Sequence, residues 1–147
     1  MIEFPIETIK GQMCADLGGL VAIESLKGAP EPGKPFGAGP YAALCYMLEK
    51  AEGMGFEAKN LEGYIGYAQA GEGEQTLGIL AHLDVVPAGD GWESEPFSLC
   101  IKGDKLYGRG TADDKGPAIA ALYALKLVQE AGYRLKRKVR IYFGCDE

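Results

Sequence analysis

Gly78-Ile-Leu-Ala-His-Leu-Asp-Val-Val-Pro87 and, after a turn-rich link, Leu106-Tyr-Gly-Arg-Gly-Thr-Ala-Asp-Asp-Lys-Gly116 decide how this chain folds. The first stretch predicts a buried core strand, because Leu77, Ile79, Leu80, Val85 and Val86 form a short aliphatic run between turn signals. Its end is polar. Side chains two apart on a strand share a face, so His82 and Asp84 project together while Leu83 turns back into the core. A carboxylate beside an imidazole fixes its tautomer and raises its basicity, the usual setting of a metal-bound histidine. The second stretch adds Asp113 and Asp114, adjacent carboxylates that are costly to crowd unless a cation or strong donors neutralise them.

Taken singly, these features have plainer readings. A lone histidine at a strand end is ordinarily structural or surface-exposed, and Asp-Asp-Lys is usually a solvated turn. Gly108-Arg-Gly110 suggests a phosphate loop, but it lacks the Gly-Lys-Ser/Thr ending and the fuller G-x-G-x-x-G spacing. Their order, and their shared placement at a strand end and a helix start, favour a metal site.

Outward from this centre the chain alternates helix and strand. Ile6, Ile9, Met13, Leu17, Leu20 and Val21 recur at three- and four-residue steps and predict an amphipathic helix, weakened in its later turns by Gly18 and Gly19. Lys27 to Pro40 holds four of the eight prolines and predicts an irregular connector. Pro40 suits the first turn of a second helix carrying Tyr41, Leu44, Cys45, Leu48 and Ala51 on one side and stopping at Gly53. Phe56–Leu61 and Tyr64–Ala70 predict two strands joined through Glu62-Gly63, and Leu99–Lys102 with Lys105–Tyr107 predict a hairpin. A helix from Gly116-Pro117 to Ala131, apolar on nearly all sides, should pack on a sheet, with Gly132 as its cap. Lys138–Phe143 reads as a central strand. This alternation predicts one α/β domain with a sheet covered on both faces.

The size fits: 147 residues agree with about 100–200 residues per domain. With 47% hydrophobic and 24% charged residues the chain is ordinary globular material. A net charge of −6 argues against a nucleic-acid partner, and Arg134-Leu-Lys-Arg-Lys138 is a local, solvated lead-in to a strand. The N-terminus lacks the features of a secretory leader, and no apolar run reaches the roughly 18 residues that span a bilayer. Cys14, Cys45, Cys100 and Cys145 form no C-x-x-C pair, which points to free thiols in a reducing cytoplasm. Cys145 is considered as a nucleophile, but a thiol needs a base nearby and the sole histidine is better used elsewhere.

Three motifs in order, His-Leu-Asp-Val-Val-Pro, Gly-Arg-Gly-Thr-Ala-Asp-Asp-Lys-Gly-Pro and the terminal Gly144-Cys-Asp-Glu147, resemble signatures of the M20 family of dinuclear zinc peptidases. Pro35-Phe-Gly-Ala-Gly-Pro40, Gly63-Tyr-Ile-Gly-Tyr67 and Gly89-Asp-Gly-Trp92 extend the likeness, most closely to its PepV-like dipeptidases. The resemblance implies a three-layer α/β/α catalytic domain with a mixed central sheet, of which residues 1–147 are the N-terminal portion, truncated on the C-terminal side. It implies that His82 binds zinc, that Asp84 holds the second ring nitrogen, and that Asp113 bridges two zinc ions, for which Mn2+ or Co2+ could substitute. Asp114 becomes a backbone-shaping residue, joined to Asp113 by a cis bond. Glu147 becomes the general base. The family's second Glu, further ligands and lid domain would lie beyond position 147, so the expected activity, hydrolysis of dipeptides or short peptides, should be negligible in this chain alone. Two alternatives remain: an M20 deacylase acting on N-acyl amino acids or succinyl-diaminopimelate, and a non-catalytic module with a weak cation site. An uncovered sheet edge should also favour self-association.

Overall fold

The structure is a computed structural model and describes residues 6–147. The sequence before Ile6, on which the expectation about a leader chiefly rests, lies outside the described residues. In order come α1 (Ile6–Val21), α2 (Ala38–Gly53), β1 (Glu57–Leu61), β2 (Ile65–Ala70), β3 (Thr76–His82), β4 (Cys100–Lys102), β5 (Lys105–Tyr107), α3 (Lys115–Glu130) and β6 (Lys138–Gly144).

Local chemistry accounts for most boundaries. α1 runs through its glycines because Leu17, Leu20 and Val21 bury its last turn. α2 begins two residues before Pro40, after Gly37 in a left-handed conformation, and buries Ala43 and Met47 in addition to Leu44, Leu48 and Ala51. Tyr41 and Cys45, expected on that side, are only half-buried. The β1–β2 turn has φ of 57° at Glu62 and 77° at Gly63, and Tyr64 N donates to Leu61 O at 3.2 Å. Two successive positive φ values give the hairpin the right-handed twist of its strands.

Four strands form one mixed sheet in the order β1-β2-β6-β3, and β4 pairs with β5 separately. β6 is antiparallel to β2 and parallel to β3, with α3 as the crossover between β3 and β6. The pairing places Gly66, Ala68, Ile79, Ala81, Ile141 and Phe143 on one sheet face. This face meets the helices. Leu44 and Leu48 of α2 fill the space where a Cβ on Gly66 would lie, and Ile119, Leu122 and Tyr123 of α3 join the same core as Ile141 and Phe143. The opposite face carries Tyr67, Gln69, Arg140, Tyr142 and Leu80, and no described helix covers it. The α/β class and mixed sheet match the expectation; of the three layers, the described residues supply two.

β3 corrects the sequence reading. It was expected to be a buried core strand, but it lies at the sheet edge, with Leu77 52% and Leu80 79% exposed. Only β6 pairs with it, so the aliphatic run is sheltered on the helix side alone. The burial expected for this stretch is deepest just past the strand, at Leu83 and Val85.

Candidate metal centre

β3 and β6 run side by side and end together, pairing His82 with Gly144, and Leu83 N donates to Gly144 O at 2.9 Å. The two polar segments therefore leave the sheet at the same end. Asp114 occupies the position just before α3, where an aspartate commonly caps the helix. Its side chain makes no cap bond; Oδ2 instead accepts the backbone N–H of His82 at 3.2 Å. That contact sets Asp113, one residue earlier, beside the imidazole, across a cis Asp113–Asp114 peptide. Gly116 permits this tight entry, because a Cβ there would collide with the Thr111 carbonyl.

All four predicted site residues meet at this end of the sheet. His82 Nε2 lies 3.0 Å from Asp113 Oδ1 and 3.5 Å from Glu147 Oε2. On the other side of the ring, Nδ1 lies 3.2 Å from the Asp84 carbonyl oxygen and 3.4 Å from its carboxylate Oδ1. The second carboxylate oxygen of Asp84 accepts the backbone N–H of Glu147 at 3.3 Å, so this one side chain ties the end of β3 to the residues following β6. The imidazole is mostly sheltered, whereas the Asp113 and Glu147 side chains are 84% and 73% exposed. Solvent can reach the space between them.

Both ring nitrogens face oxygen acceptors. Burial works to lower the pKa of His82, but the Asp113 hydrogen bond and the charges of Asp84, Glu147 and Asp113 outweigh it, holding the imidazole above its usual range. A cation on Nε2 would replace that proton and meet the same carboxylates. His82, Asp113 and Glu147 offer donor atoms that all lie within 4.8 Å of one another. Tetrahedral zinc with bonds of about 2.1 Å separates its ligands by roughly 3.4 Å, which lies between the two distances at Nε2. Asp84 Oδ1 is buried without a hydrogen bond and lies on the Nδ1 side of the ring, as the partner of a metal-bound histidine should. The donor set fits a divalent cation. It includes Glu147, to which the sequence reading gave only the role of base.

Sequence reasoning missed several neighbours. Lys115, to which the sequence reading gave no role, is fully buried; its Nζ donates to Leu20 O at 3.0 Å and Ile23 O at 2.7 Å, and burial pushes its ammonium down to about 8. Ser25 is equally buried and donates to Leu83 O at 2.6 Å, fixing the residue between His82 and Asp84. Lys27 pairs with Asp146 at 2.8 Å, next to Glu147. These partners lie far apart in the chain, and no local pattern marks them. The Cys145 thiol is pushed up to about 12, first by burial and then by the Asp84 charge, and stays protonated at neutral pH. An apolar cavity of about 490 Å3 between α1, the β4–β5 hairpin and α3 shares no residue with the cluster.

By fold and site together, this is an α/β domain that gathers an imidazole and carboxylates, a donor set suited to a divalent cation, at the shared end of two parallel strands. Residues 78–147 match Peptidase family M20/M25/M40, and the chain is a member of that family. It is 51% identical over 116 residues to Putative dipeptidase YtjP of Bacillus subtilis (strain 168), covering 79% of this chain and 25% of that protein. Its fold is similar to human carnosine dipeptidase 1, with a TM-score of 0.80 and 25% identity, covering 95% of this chain and 32% of the other. It is also similar to the M20 family metallo-carboxypeptidase Sso-CP2 from Sulfolobus solfataricus, with a TM-score of 0.77 and 26% identity, covering 92% and 31%. The chain thus spans about a quarter to a third of the length of these relatives. Among the described residues, no helix is long and apolar enough to cross a membrane.

Proposed function

We propose that this chain carries the N-terminal share of the catalytic centre of a two-zinc, cytoplasmic dipeptidase that hydrolyses dipeptides or short peptides. The observation that carries the reading is the meeting of His82 Nε2 with Asp113 and Glu147 at 3.0 and 3.5 Å, with Asp84 behind the ring, in a chain of this family. His82 and Asp113 are the metal-holding residues, and Asp113, with two carboxylate oxygens on an open side chain, is suited to bridging two ions. A pair of divalent cations would polarise the scissile carbonyl and acidify the attacking water.

The chain's own groups supply the rest. Asp84 keeps the imidazole oriented through Nδ1 and holds the backbone of Glu147. Glu147 stands within reach of the same space as the general base, accepting the proton of the attacking water and returning it to the leaving amine. Asp114 positions His82 through its backbone N–H. Zinc sites use three or four protein ligands per ion, and the single histidine plus two open carboxylates cannot complete two such sites. Hydrolysis by this chain alone is therefore expected to be negligible.

Two measurements test the reading. Zinc titration should give binding that His82→Asn removes; no uptake by the wild-type chain would overturn the metal centre. Residues 78–147 exchanged into the Bacillus subtilis relative should support hydrolysis of dipeptides in preference to N-acyl amino acids, and the reverse preference would make the family activity here a deacylase.

A further inference from the structure

Arg109 lies outside the donor cluster, yet its side chain joins the two segments that carry the donors. One segment leaves β3 with His82 and Asp84 and continues through Pro87, Ala88 and Trp92. The other runs from Gly108 through Asp113 to α3. They touch at His82 Nε2 and Asp113 Oδ1. They touch again through Arg109, whose Nη2 donates to Ala88 O at 2.8 Å and to Pro87 O at 3.2 Å. The guanidinium carbon lies 5.3 Å from the centre of the Trp92 ring, and Trp92 Nε1 donates back to the same Ala88 oxygen at 2.8 Å. The backbone N–H of Arg109 donates to Pro96 O at 2.6 Å, which ties the far end of the Trp92 loop to the same residue.

This arrangement needs a planar cation. A guanidinium can donate in its plane while an aromatic ring lies against it, whereas a lysine ammonium is a point charge on a flexible stem. We propose that Arg109 is a positioning residue: it braces the Pro87–Trp92 loop against the Asp113-bearing turn and so fixes the spacing of His82 and Asp113 that a cation requires. Metal–ligand bonds of about 2.0–2.2 Å leave little room for drift, and losing an outer-shell partner typically weakens metal binding about 10–100-fold. The affinity part of this inference rests on the metal-centre reading above; the loop part does not.

Trp92 is the sole tryptophan, so its emission reports this loop directly. In metal-free protein, Arg109→Met should shift Trp92 emission to the red and increase its quenching by acrylamide. Its zinc affinity, measured by competition with a chromophoric chelator well below the melting temperature, should fall about tenfold. Arg109→Lys should recover part of the affinity and little of the emission. Leu122→Ala, far from the loop, separates general destabilisation from positioning: it should lower the melting temperature while leaving zinc affinity and emission at wild-type values. If Arg109→Met does not fold, Arg109→Lys and Trp92→Phe carry the comparison, with a loss of affinity in the lysine variant at an unchanged melting temperature supporting the brace. Wild-type emission together with wild-type zinc affinity in a folded Arg109 variant would overturn it. If the wild-type chain takes up no zinc, the metal centre falls, and Trp92 emission alone decides whether Arg109 holds the loop.

Discussion

The two faces of the four-stranded sheet shelter their side chains by different means. On the helix side, Ala68, Ile141 and Phe143 are fully buried beneath α2 and α3, and cover comes from interdigitated aliphatic and aromatic groups. On the other side Tyr67 is only 8% exposed although no described helix lies over it. The Arg140 guanidinium sits 4.1 Å from its ring centre and 5.7 Å from that of Tyr142, and is held in place by Gln69 Oε1. The two tyrosine rings meet at 6.2 Å and 65°. A flat cation can thus shield an aromatic surface that has no packing layer, but it reaches only its immediate neighbours. Leu80, beside it on the edge strand, stays bare.

The contrast predicts unequal costs for similar truncations. Phe143→Ala on the packed face should destabilise by about 3–5 kcal/mol, against roughly 1 kcal/mol or less for Tyr142→Ala on the open face; urea denaturation measures both, and equal losses would break the distinction. Next in size is Lys115→Met. The methionine keeps the buried stem but leaves the Leu20 and Ile23 carbonyls unpaired, so a loss of about 1–3 kcal/mol is expected from the same measurement.

The packed side also has an acid-sensitive tie. Asp16, buried on α1, accepts hydrogen bonds from Lys50 at 2.8 Å and Tyr123 at 2.6 Å, joining all three helices. Burial works to raise its pKa, but the bonds from Lys50, Tyr123 and Gln12 outweigh this and hold the carboxyl below its ordinary 3.8. A lowered folded-state value means that this stabilisation is fully present above that ordinary value and is lost as pH falls through the folded one. Asp16→Asn should therefore flatten the acid limb of a stability–pH curve recorded by thermal melting. The smallest expected effect is on the open side: Leu80→Lys should change stability by no more than about 0.5 kcal/mol. It should nevertheless reduce association at high concentration in light scattering, since charge on an exposed edge strand opposes edge-to-edge pairing.

What the sequence disclosed was local or carried by motif. The helices and the β1–β2 hairpin followed from periodicity and from Glu62-Gly63, and strand parity alone placed His82 and Asp84 together with Leu83 opposed. The edge position of β3 was hidden, because an aliphatic run such as Leu77–Leu80 looks the same in a central strand and in one that lacks a second neighbour. Lys115 received no role because nothing local marks it: the carbonyls to which it donates come 92 and 95 residues earlier. The closeness of Glu147 to His82 depends on the parallel pairing of β3 with β6, a long-range fact that only motif resemblance could foreshadow.

That pairing also imposes an order of assembly. Glu147 lies just past β6, and β6 can reach β3 only after the chain has passed through α3. A nascent chain that has emerged only as far as α3 already holds His82 and Asp113 but lacks Glu147, so the three donors come together only once β6 has docked beside β3.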